Sequence, residues 1–102
     1  MNLKTTTIYL PQSEMILFQK FKIKNGITAY QAIDLLESCY RDNPRKFESN
    51  SPRSSERRIS PVLDVMLLQS LKISALEHGI SVSAFVAALI SSYINKKTFK
   101  AG

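Results

Sequence analysis

The sequence predicts a mainly α-helical chain in which two short antiparallel strands form one ribbon over four helices, with a pseudo-twofold relation inside a single chain. Three observations predict this. The sequence repeats itself in degenerate form. Each copy reads as one strand followed by two helices. A single strand per copy leaves backbone donors and acceptors unpaired, and the other copy's strand is the economical partner.

The repeat comes from self-comparison. Placing Gly26 on Gly79, an offset of 53 residues, sets Ile27-Thr28 on Ile80-Ser81, Leu36 on Leu89, Ser38 on Ser91 and Tyr40 on Tyr93. Moving backwards, Ile23 meets Leu76, Phe18 meets Leu71, Met15 meets Leu68 and Leu10 meets Leu63, without a gap. Few identities survive, but the apolar positions match. Unit one is residues 1–43 and unit two residues 56–102. Residues 44–55, PRKFESNSPRSS, join them with the proline, serine and basic content of a flexible linker. About a dozen extended residues reach roughly 40 Å. The linker therefore lets the units dock as one compact domain, which they need because about forty residues hold too little core alone.

Residues 4–10 (KTTTIYL) are rich in β-branched and aromatic side chains and end at a proline. Pro11 suits the N1 region of a helix. From Gln12 to Asn25, Met15, Phe18 and Phe21, with the stem of Lys22, form one apolar stripe, and Gly26 is the C′ residue. Thr28 caps the next helix, with Gln31 completing a capping box. Ala32, Ile33, Leu36 and Tyr40 line its inner face and Asp34, Glu37 and Arg41 its outer face; Pro44 blocks extension. In unit two, Arg57 to Leu63 (RRISPVL) is the strand and Leu67, Leu68, Leu71 and Ala75 mark the first helix. His78-Gly79 closes that helix, with His78 favoured by the helix dipole. Ser81 caps the last helix, lined by Phe85, Val86, Leu89 and Tyr93. Cys39, matching Ser92, is expected to be a small buried or half-buried side chain.

Composition bounds function. The 102 residues hold 14 Lys plus Arg against 8 Asp plus Glu, a net charge of +6. That balance suits an anionic partner such as nucleic acid, an acidic protein or an anionic surface. One cysteine excludes an intrachain disulfide framework and a cysteine-based zinc finger, and one histidine leaves little for a metal cluster. No run approaches the roughly 18–20 apolar residues of a membrane span. The N-terminus lacks the apolar core of a signal peptide. The expectation is a cytoplasmic binding protein with no membrane contact, metal, cofactor, small-molecule substrate or catalytic set.

The strand ending Leu10-Pro11, the fifteen-residue step from Pro11 to Gly26, and the segments GITAYQAI and GISVSAFV resemble the ribbon-helix-helix family of Arc and MetJ. The resemblance covers residues 4–42 and 57–95. Two copies in one chain resemble the TraY type of plasmid transfer protein. The fold implied is a tandem ribbon-helix-helix. The function implied is sequence-specific binding of double-stranded DNA, either as a repressor in transcription regulation or as a relaxosome accessory in plasmid conjugation.

A two-stranded ribbon fits the major groove of B-DNA. Because side chains alternate along a strand, turning Ile8 and Leu10 inward also turns Thr6 inward and leaves Thr5, Thr7 and Tyr9 outside. In the second strand Ile59, Pro61 and Leu63 turn inward and Arg58, Ser60 and Val62 stay outside. The resemblance implies that these six outer residues contact bases. Pro61 departs from a regular strand: either its nitrogen faces away from the partner strand or the ribbon is distorted there. Val62 stands where the family often carries a polar or basic side chain and offers only a thymine-methyl contact.

Phosphate contacts are expected at the positive ends of the helices capped by Thr28 and Ser81, through Thr28, Ala29, Ser81 and Val82, with Lys4 and Arg57 flanking the strands. Arg45, Lys46 and Arg53 in the linker and Lys96, Lys97 and Lys100 in the tail either are simply solvated or add long-range attraction. Residues 82–94 (VSAFVAALISSYI) carry no charge. The helix is either buried on most sides, or it self-associates through Ala84, Ala88, Ile90 and Ser91, as in cooperative binding to adjacent sites. The competing function is a protein-interaction module, antitoxin-like or oligomerising, whose basic charge is incidental.

Overall fold

The computed structural model describes residues 2–44 and 56–94. The basic linker residues Arg45, Lys46 and Arg53, and the tail residues Lys96, Lys97 and Lys100, lie outside the described residues. The elements run β1 (Leu3–Thr5), β2 (Ile8–Pro11), α1 (Gln12–Asn25), α2 (Ala29–Asp42), β3 (Glu56–Ile59), β4 (Val62–Asp64), α3 (Val65–His78) and α4 (Val82–Tyr93). The chain is mainly α-helical, and its strands pair antiparallel within the chain.

Each expected strand is broken in two. β1 pairs with β4, Thr5 standing opposite Val62, and β2 pairs with β3, Ile8 standing opposite Ile59. The two ladders continue one another in register, so Thr6 falls opposite Pro61 and Thr7 opposite Ser60. The break has a local cause. Residues facing each other in an antiparallel ladder alternate between pairs that exchange two hydrogen bonds and pairs that exchange none. The Thr6 N–H donates to the Pro61 carbonyl at 2.9 Å, and the Val65 N–H to the Asn2 carbonyl at 2.9 Å. Pro61 is therefore at a bonded site and cannot return the second bond. Of the two expectations for Pro61, its nitrogen does not face away; the ladder is interrupted.

The helix ends follow from sequence. Gly26 and Gly79 take left-handed conformations at φ 60° and φ 70°. Each is followed by an N–H that reaches back across the last turn, Ile27 to the Lys22 carbonyl (3.1 Å) and Ile80 to the Ala75 carbonyl (3.0 Å). Thr28 makes both bonds of its capping box with Gln31. Ser81 Oγ accepts from the Ala84 N–H at 3.0 Å, without the reciprocal bond, because Ala84 has no side-chain acceptor. Pro11 is the last residue of β2 and the cap of α1 at ψ 154°, not its first helical residue. Its missing N–H does not interrupt the helix in either place.

One core draws on both halves. Ile8, Leu10, Phe18, Ile33 and Leu36 from the first meet Leu63, Leu71, Phe85, Val86 and Leu89 from the second, all fully buried. α4 lies against α1, α2, α3 and β2, which explains its lack of charge: almost every face meets apolar neighbours. Ile90 is 0% exposed and belongs to this core. It leaves the proposed self-association face, on which Ala84 and Ala88 are half-buried and Ser91 exposed.

Glu37 is a further correction. It was expected on the outer face of α2 but is 3% exposed. Arg41, one turn on, donates from Nε to its Oε2 at 3.0 Å and sets Nη2 2.9 Å from Oε1. The Nη2–Oε1 approach is an ion pair without hydrogen-bond geometry. The guanidinium stays largely in water while the carboxylate is shielded, so the pair spans the protein surface. Among the described residues no helix is long and apolar enough by itself to cross a membrane.

Candidate nucleic-acid interface

The paired strands present two chemically distinct faces. Ile8, Leu10, Pro61 and Leu63 are buried beneath them. Thr5, Thr7, Tyr9, Arg58, Ser60 and Val62 are exposed on the other side, with Tyr9 at 47% and Val62 at 46%. The alternation expected from the sequence is therefore present on both strands. Thr6 and Ile59, both expected inside, are half-buried, as their positions near the break and the strand end allow.

Across the ribbon the outer residues meet in pairs. Thr5 is opposite Val62 and Tyr9 is opposite Arg58, and the shared register sets Thr7 opposite Ser60. The surface thus carries hydroxyls in its middle, an aromatic and a guanidinium at one end, and methyl groups at the other. Among the described residues one ion pair forms, between Arg41 and Glu37, so no described carboxylate holds Arg58.

Tyr9 belongs to a pair that exchanges no ladder bonds, so its N–H points away from β3. It donates to Ser83 Oγ at 3.0 Å. This contact ties the outer end of the ribbon to the first turn of α4. Ser83 escaped the sequence reading because a serine one turn into a helix carries no sign of a distant backbone partner. Its repeat counterpart is Tyr30, which has no oxygen close to its backbone.

The expected phosphate ligands occupy two settings. Thr28 and Ser81 are exposed N-caps, and Ala29 and Val82 are the half-buried first residues of α2 and α4. The first amides of each helix lack intrahelical acceptors. Lys4 and Arg57, repeat counterparts, are both exposed, opposite Leu63 and Leu10. At the α2 end burial, then the Asp64 and Asp34 carboxylates, raise the pKa of the Tyr30 hydroxyl.

The sequence reading also missed an apolar surface. Ile16 and Ile23 on α1, and Met66, Ile73 and Leu76 on α3, are exposed, Ile23 and Leu76 at 78% each. The signal was available: Ile23 and Leu76 match in the repeat but lie off the inward stripes. Among the described residues no group of three or more His, Cys, Asp or Glu side chains is placed to hold a metal. Comparison of the chain with protein-family models, with curated proteins and with solved structures returns no match.

Proposed function

We propose that this chain is a tandem ribbon-helix-helix protein that binds double-stranded DNA, laying the outer face of its paired strands in the major groove. One observation carries the reading: six polar or small side chains share the exposed face of a ribbon whose other face is buried under four helices. An outer face that no described residue covers, on an apolar-backed ribbon narrow enough for the groove, suits base edges better than an intramolecular role. Lys4, Arg57, Arg58 and the net charge of +6 favour the polyanion. The helix ends at Thr28-Ala29 and Ser81-Val82 clamp phosphates on either side. The protein acts by binding, without catalysis, in the cytoplasm, as a transcriptional repressor or as an accessory at a plasmid transfer origin.

The test is duplex binding followed by fluorescence anisotropy across salt concentrations. Affinity is expected to fall steeply with salt, and Lys4→Ala or Arg57→Ala each to reduce the log–log slope by about 1. Salt-indifferent binding, or no binding, overturns the proposal. A second reading, a protein-contact module, is favoured by the exposed apolar residues of α1 and α3. It is tested by light scattering of the chain with and without DNA.

A further inference from the structure

We propose that the ribbon reads DNA with a built-in polarity, its Tyr9–Arg58 end selecting guanine and its Thr5–Val62 end selecting thymine. This rests on the DNA-binding reading above and extends it to the preference of each end.

The argument comes from which residues face each other. A symmetric ribbon would carry the same pair at both ends. Here the repeat counterpart of Thr5 is Arg58 and that of Tyr9 is Val62, so the strands differ at both end positions. Antiparallel pairing then puts Tyr9 opposite Arg58 at one end and Thr5 opposite Val62 at the other. All four side chains are exposed.

The chemistry of the ends differs. An arginine fork matches the O6 and N7 acceptors of guanine, and a tyrosine hydroxyl beside it can donate or accept. Valine makes no hydrogen bond. Beside the Thr5 methyl it forms a small apolar surface that fits the C5 methyl of thymine. The middle pair, Thr7 and Ser60, has rotatable hydroxyls that suit any base. Along the strands the end pairs are four residues apart, about 14 Å at roughly 3.4 Å per residue. With base pairs stacked roughly 3.4 Å apart, that spans about four base-pair steps. The Tyr9 N–H bond to Ser83 holds the guanine end against α4, whereas Tyr30 offers no such anchor at the thymine end.

Selection of duplexes from a random pool by the full chain, followed by affinity measurements, tests the proposal. The expected subsite is non-palindromic, with guanine and thymine about four steps apart. Replacing that guanine by 7-deazaguanine weakens binding to the wild type but not to Arg58→Ala. Replacing that thymine by deoxyuridine, which removes only the methyl, weakens binding to the wild type about fourfold but not to Val62→Ala. Arg58→Ala lowers discrimination at the guanine roughly 5- to 150-fold and leaves the thymine preference intact. Both substitutions are on the exposed face, and unchanged circular dichroism confirms folding. A palindromic subsite, or loss of both preferences in Arg58→Ala, overturns the polarity while leaving DNA binding standing. A chain that retains no duplex overturns both.

Discussion

The Tyr9 backbone N–H donates to Ser83 Oγ, 74 positions along the chain, at 3.0 Å. The bond joins the outer edge of a strand in the first half to the opening turn of the most buried helix in the second. It also breaks the internal symmetry, since Tyr30 occupies the corresponding place in the first half. Ser83→Ala is expected to cost about 0.5–1.5 kcal/mol in urea unfolding. Amide exchange at Tyr9 should accelerate more than at Val62, its repeat counterpart, which makes no bond to Ser83.

Ile90 and Ala88 separate the core role of α4 from a surface role. Ile90→Ala removes a fully buried side chain and is expected to cost about 2–5 kcal/mol. By contrast, Ala88→Ser at a half-buried site costs less than about 1.5 kcal/mol. Denaturant midpoints for the two variants check the ordering, and equal losses would place Ile90 at the surface.

Glu37 and Arg41 make an asymmetric pair, the carboxylate shielded and the guanidinium in water. Arg41→Ala leaves the shielded carboxylate without its charge partner, whereas Glu37→Met replaces it by an apolar side chain of similar length. Arg41→Ala is therefore expected to lower the urea midpoint further than Glu37→Met. The reverse order would mean that the carboxylate finds water once the arginine is gone.

Gly26 and Gly79 have positive φ, and a Cβ built at either meets nothing within 4 Å. Alanine there meets backbone strain alone. Gly26→Ala and Gly79→Ala are each expected to cost about 1–2 kcal/mol, alike within error in thermal unfolding. A much larger loss at one site would point to a steric neighbour.

Burial, and then the Asp42 carboxylate, raise the pKa of the Cys39 thiol. Folding therefore favours the thiol over the thiolate. That contribution to stability is present below the unfolded-chain pKa and is lost as pH rises through the higher folded-state value. Alkylation by iodoacetamide at pH 8 should run severalfold slower in the folded chain than in urea, with its pH midpoint displaced upward. Equal rates in both states would contradict this environment.

Much of the molecule is legible in its sequence. Gly26 and Gly79, Thr28 and Ser81 mark helix ends through local backbone chemistry that needs no distant partner. The strand alternation was readable because Leu10 and Leu63 can satisfy only one face. Glu37 was misread because helical periodicity sets an angle, and whether that angle meets solvent depends on what packs beside it. Ile90 stood between a buried and a surface reading for the same reason, and packing places it in the core.

The order of strands and helices, the inward and outward sides of each strand, and the caps follow from neighbours within a few residues and are written into the chain locally. That Tyr9 faces Arg58 and Thr5 faces Val62, that Pro61 breaks the ladder from a bonded site, and that Ser83 holds the Tyr9 amide emerge only when the two halves pack together. Register and contact join residues far apart in the chain, and one position of slip would exchange the two faces of the ribbon.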